Sequence, residues 1–123
     1  MSVINCKVCY LRPTYHDIGE WIINPDHVYI GRRGVVFLNR ERFPARDSMW
    51  ANPYKIGRDG TREEVLAKYE ASLRERLEVN EELRSELLKL HGKVLGCWCA
   101  PEPCHGHVLL RLIEELKANI IIQ

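Results

Sequence analysis

The stretch Lys93-Val94-Leu95-Gly96-Cys97-Trp98-Cys99-Ala100-Pro101-Glu102-Pro103-Cys104-His105-Gly106-His107 decides how this chain is read. Its first six residues form a short apolar strand pattern. Its last twelve hold three of the five cysteines and two of the five histidines of the protein. Beyond it, Val108, Leu109, Leu112, Ile113 and Leu116 recur at helical spacing, which predicts a helix with one apolar face. The cluster therefore lies where a strand ends and a helix begins, and Pro101 and Pro103 stiffen the connection. In open α/β sheets ligands bind at that edge, because the free amides and partial positive charge of a helix N-terminus face outward there.

Working back toward the N-terminus, Glu81 to Leu90 predicts a helix capped by Asn80, turned inward on Leu83, Leu87, Leu88 and Leu90 and ended by Gly92. Before it, Thr61-Arg62-Glu63-Glu64 is a capping box: the Thr61 hydroxyl takes the Glu64 amide while the Glu64 carboxylate reaches back to the Thr61 amide. Val65, Leu66, Tyr69, Leu73 and Leu77 carry that helix's core stripe. The charges on both helices read as a solvated face. Two helices between His27-Val28-Tyr29-Ile30, a strand ended by Gly31, and the Lys93 strand predict a helical crossover and a parallel pairing.

The remaining segments are less regular. Ser2 to Leu11 predicts a strand stopped at Arg12-Pro13. Its Cys6-x-x-Cys9 pair would then face opposite sides of the sheet and read as two small buried thiols rather than a chelate. Pro13 to Asp26 reads as a loop anchored by Trp21-Ile22-Ile23, and Val35 to Leu38 as a further strand candidate. Asn39 to Ser48 reads as a loop, and the tail Ile120-Ile121-Ile122 as an edge strand or a core contact.

At 123 residues the chain is one domain, 1–123, able to bury a core without disulfides. A net charge of +1 gives no whole-molecule reason for non-specific nucleic-acid binding, although a local basic patch keeps nucleic acid among the candidate partners. The apolar runs are far short of the roughly 20 residues that span a bilayer, and no basic-then-apolar leader pattern is present. An odd cysteine count without such a leader fits reduced thiols in a cytoplasmic protein. The fold expected is α/β: a small, mainly parallel sheet flanked by helices, Rossmann-like in layering but without a GxGxxG loop.

Three chemical readings compete at the cluster. In the first, Cys104 at a helix start is a stabilised thiolate, with His105 or His107 as base or charge partner. Gly31 and Arg32, at the strand tip, would with the same helix amides hold phosphate. Arg33 is as well explained by a solvated turn. Trp50 and Asn52, in Trp50-Ala51-Asn52-Pro53-Tyr54, would offer a stacking face and an amide to a base. The residue six after Cys104 is Leu110, so the Cys-x5-Arg pattern of thiol phosphatases is missing. In the second, Cys97, Cys99, Cys104 and His105 ligate zinc in an interaction module without catalysis, although the spacing is not a CxxC knuckle. In the third, the thiols are packed in a core and the histidine caps a helix, a reading that suits Cys97 best.

The blocks Val28 to Arg32, Trp50 to Tyr54, Gly60 to Glu64 and Leu95 to Gly106 together resemble the domain-of-unknown-function family 4326 of bacteria, phages and large viruses. They follow the family's order and span Val28 to Leu112. The resemblance implies that the Tyr-Ile-Gly-Arg, Trp-x-Asn-Pro and Cys-His-Gly elements, including Gly106, form one site. It carries no activity with it. Two features depart from the pattern: His107 stands where the family usually has an aspartate, and residues 33–48 are longer than expected, as in a loop insertion. On these grounds the function expected is binding or processing of a nucleotide or nucleoside phosphate. The alternatives are the zinc-stabilised or nucleic-acid-binding module, and a nucleotide sponge that only binds. Oligomeric state is left open.

Overall fold

A computed structural model describes residues 2–34, 36–99 and 102–122, with only the backbone for 120–122. Its frame is a three-stranded parallel sheet of β1 (Ser2–Asn5), β2 (His27–Tyr29) and β5 (Val94–Cys97), in the order β1-β5-β2. Ser2 and His27 both pair with Val94, from opposite sides of β5. The apolar run of β5 is continuous because a central parallel strand is covered on both faces. Alternation then sorts the side chains. Val3, Val28, Ile30, Leu95 and Cys97 join one cluster, while Ile4, Cys6, Tyr29 and Val94 join the other.

The first cluster is closed by three helices. These are α3 (Arg62–Val79), α4 (Glu81–Leu88) and α5 (His105–Ile122). The capping box forms as read: the Glu64 amide donates to Thr61 Oγ1 at 3.2 Å and the Thr61 amide to Glu64 Oε1 at 3.0 Å. Val65, Tyr69, Leu73 and Leu77 are buried. Asn80 Oδ1 caps α4 through the Leu83 amide at 3.0 Å, and Gly92 turns the chain into β5 with φ +83°.

The opposite face is covered by α1 (Val8–Leu11), α2 (Ile18–Trp21) and a hairpin of β3 (Val36–Leu38) and β4 (Glu41–Phe43). Three expectations are corrected here. β1 stops at Asn5, whose side chain accepts the Lys7 amide at 2.9 Å; the chain then turns into α1, so Cys6 is buried and Cys9 exposed. The stretch Asn39 to Ser48 is not all loop: it supplies β4, which pairs with β3 at 36–38, where a strand was a candidate. Val36, Leu38 and Phe43 pack on the second cluster, and Asn39 and Arg40 take positive φ at the two-residue turn. The tail through Ile122 continues α5 instead of adding an edge strand. Val35, read as the start of a strand, and Pro101, read as a stiffener, lie outside the described residues. Among the described residues no helix is long and apolar enough to cross a membrane.

Candidate functional site

The C-terminal ends of β2 and β5 and the start of α5 frame a cleft of about 490 Å³, within the range of small-ligand sites. Glycine brings its parts together. A Cβ on Gly106 would sit 2.9 Å from both Ile30 Cδ1 and Val3 Cγ1, so only glycine lets the first turn of α5 lie this close to the sheet. A Cβ on Gly31 would meet the Tyr29 ring at 2.4 Å from its hydroxyl. That hydroxyl accepts from Trp98 Nε1 and donates to the Arg32 carbonyl, both at 2.7 Å, tying the ends of β5 and β2. Gly31 and Gly106 thus serve close packing beside the site.

Arg32 reaches the cleft as foreseen, but it also holds structure. Its Nε and Nη2 donate to the Asn52 carbonyl at 3.2 and 2.9 Å, and Nη2 to the Tyr54 carbonyl at 3.0 Å. Nη1 remains for another acceptor. Asn52 spends its amide inside the fold: Oδ1 takes the Tyr54 amide of its own turn at 2.9 Å and Nδ2 points to the Val65 carbonyl of α3 at 3.5 Å. Trp50 is 4% exposed, packed among the helices of the first cluster, and does not line the cleft. It cannot be the stacking face read from the sequence. Tyr54 and Trp98 line the cleft instead.

The sulfur groups are arranged in a chain. Cys97, 1% exposed, and Cys104, 2% exposed, place their Sγ atoms 3.3 Å apart. Cys97 in turn hydrogen-bonds with Cys99. β5 ends at Cys97, and Cys99 lies in the bend beyond it. The Cys104 thiol is held below the ordinary cysteine value, first by the Cys97 thiol and then by the Gly106 and His107 amides, against the opposing effect of burial. Cys97 is raised, chiefly by its hydrogen bond with Cys104. Cys99 is raised by its hydrogen bond to Cys97 and by burial. Of the three, Cys104 is the one whose pKa is lowered.

His105 does not activate it. Its Nε2 lies 2.7 Å from the Ile30 carbonyl, which can only accept, so Nε2 carries the proton. The ring packs edge-on against Tyr69, is 8% exposed, and is held neutral, first by burial and then, more weakly, by the charge of Arg32. His105 anchors α5 to the end of β2. His107 is exposed, and its Nδ1 accepts the Cys104 amide at 3.1 Å. It therefore does at the third helical position what the expected aspartate would do as a cap. Among the described residues no group of three or more His, Cys, Asp or Glu side chains could hold a metal ion. His105, the fourth residue of the zinc set, turns its Nε2 to the Ile30 carbonyl.

Two cationic residues of the site were not read from the sequence. Arg62, in the first turn of α3, donates to the Pro103 carbonyl at 3.0 Å and contacts Cys99. Lys55 is exposed at the rim. Arg62 belongs to one of the blocks of the family resemblance, which was the available signal. Among the described residues, Arg32, Lys55 and Arg62 line the cleft and no Asp or Glu does.

The chain is 32% identical over 72 residues to the "Uncharacterized 12.4 kDa protein in nrdA-td intergenic region" of Enterobacteria phage T4, covering 58% of this chain and 65% of that protein. It thus spans less than two thirds of the phage protein's length. It is 32% identical over 104 residues to "Uncharacterized protein R718" of Acanthamoeba polyphaga mimivirus, covering 78% of this chain and 73% of that one. No solved structure matches. The model of a single family matches residues 15–115, a span running from before β2 into α5 that holds every residue of the cleft. The chain belongs to the family described as Domain of unknown function (DUF4326).

Proposed function

We propose that the cleft binds a nucleotide or nucleoside phosphate, with the Cys104 thiolate as the group available for chemistry on it. The observation that carries this reading is the charge of the lining: Arg32, Lys55 and Arg62 with no carboxylate, in a protein whose overall balance is nearly neutral. Three cations converging on one concave surface repel one another, and an anion relieves that repulsion. Arg32 offers Nη1, and Arg62 keeps a guanidinium that has spent one nitrogen on the Pro103 carbonyl. Tyr54 and Trp98 supply aromatic surface for a base or sugar. The Gly106 and His107 amides already serve Cys104. Phosphate is therefore assigned to the cationic side chains rather than to the helix start.

Titration of the protein with nucleoside monophosphates and with inorganic phosphate, followed by tryptophan fluorescence, tests the reading. Among the described residues Lys55 lends its side chain to no hydrogen bond, so Lys55→Ala should fold normally and bind about tenfold more weakly, the scale of one charge-assisted contact. Nucleoside phosphates should bind more tightly than phosphate alone. Absence of saturable binding, or equal affinity in Lys55→Ala, would refute the assignment.

A further inference from the structure

We propose that Cys97 and Cys104 form an oxidisable dithiol in the wall of the cleft, closed to a disulfide by hydroperoxides. The inference rests on where the sulfurs lie and not on which ligand the cleft takes. The two Sγ atoms are 3.3 Å apart, with no atom needed to bridge them. A disulfide requires about 2.05 Å, so each sulfur has to move by well under an ångström. Cys97 comes from the last residue of β5 and Cys104 from the threshold of α5, two elements already fixed against each other by the packing of Gly106 on Val3 and Ile30. Both thiols border the same cleft, which gives a small oxidant a route to groups that are otherwise buried.

The roles of the two sulfurs differ. Cys104 is stabilised as the anion by the Gly106 and His107 amides and by the Cys97 thiol, which makes it the attacking sulfur. It attacks one oxygen of the hydroperoxide; an S–O bond forms, the O–O bond breaks, and the departing oxygen leaves as hydroxide or alkoxide and takes a proton from water. Cys104 is then a sulfenic acid. The Cys97 thiol loses its proton and attacks Cys104 Sγ; the S–S bond forms, the S–O bond breaks, and the oxygen departs as water. Two thiols are oxidised and one peroxide is reduced, with no other reagent. Cys99 also touches Cys97 but keeps its proton more tightly and lacks the helix amides, so it is not the first to react. Cys9, exposed and remote, is the competitor for oxidant.

The test uses the full chain with Cys9→Ser, treated with hydrogen peroxide and analysed by intact mass and by mapping of disulfide-linked peptides. The expected result is loss of the mass of two hydrogens, a single Cys97–Cys104 link, and full reversal by dithiothreitol. Cys97→Ala, checked for folding by circular dichroism, should instead accumulate a dimedone-reactive sulfenic acid at Cys104. A link from Cys99, oxidation confined to Cys6, or sulfinic acid at Cys104 with Cys97 still free would overturn the proposal. Wild-type peptide mapping decides the matter by itself if Cys97→Ala does not fold.

Discussion

The Cys104 thiol is drawn below the ordinary cysteine value first by the Cys97 thiol and then by backbone amides, an arrangement that leaves a measurable signature. The rate of alkylation by iodoacetamide at Cys104 should reach half its plateau at a pH below that of an ordinary cysteine, and the midpoint should move upward in Cys97→Ala, which removes the largest stabilising contact. Cys6, pushed up to about 12 by burial, should stay unreactive over the same range. His105 gives an independent signature with the opposite origin. Burial holds its native value below that of a free histidine. The unfolded chain thus takes up a proton that the native ring refuses. Stability from this group is intact above about pH 6.5, the unfolded value, and falls as the pH drops toward the lower native value. Thermal melts from pH 7.5 to 5 should show that acid slope, and His105→Gln should flatten it while lowering the melting point throughout, since the bond to the Ile30 carbonyl is buried. Among residues of the site, Arg32, Cys99 and Cys104 were readable from spacing alone. Trp50 was misread because an aromatic beside an Asn-Pro turn suits a core as well as a surface. Arg62 was missed because its partner, Pro103, lies forty-one positions away.

Elements differ in how locally they are encoded. α3 and α4 follow from caps and apolar periodicity within a few residues, so the sequence states them outright. α1 is four residues long and exists because the Asn5 side chain and the packing of Leu11 pull the chain off the sheet; no local period announces it. The hairpin was obscured by Arg40, an unusual residue for a left-handed turn position. Two substitutions test the elements that carry the site. Thr61→Ala removes one half of the α3 capping box and should cost about 1 kcal/mol in urea unfolding. Gly106→Ala forces a methyl against Val3 and Ile30 and should cost about 1–3 kcal/mol, the range for overpacking. The second should also alter the Cys97–Cys104 geometry. Alkylation at Cys104 should therefore change in Gly106→Ala and stay constant in Thr61→Ala.

On the scale of the whole molecule, two apolar clusters share one sheet, and β5 contributes to both. Trp50 sits in one cluster, while Trp21 and Trp98 belong to the other. Unfolding followed by near-UV circular dichroism, which reads the aromatic packing, should therefore coincide with the far-UV transition in urea. Separate midpoints would mean that the clusters melt independently. The same strand order bears on how the protein is made. β1 and β2 never pair with each other; each has only β5 as a partner. A nascent chain therefore lacks the parallel sheet until Val94 to Cys97 has left the ribosome, well after the β3–β4 hairpin has emerged. Until then the N-terminal strands and their apolar side chains depend on whatever holds unfolded chains apart. Assembly of the sheet, the cleft and the thiol pair is a single late event, and a chain released before β5 has none of the three.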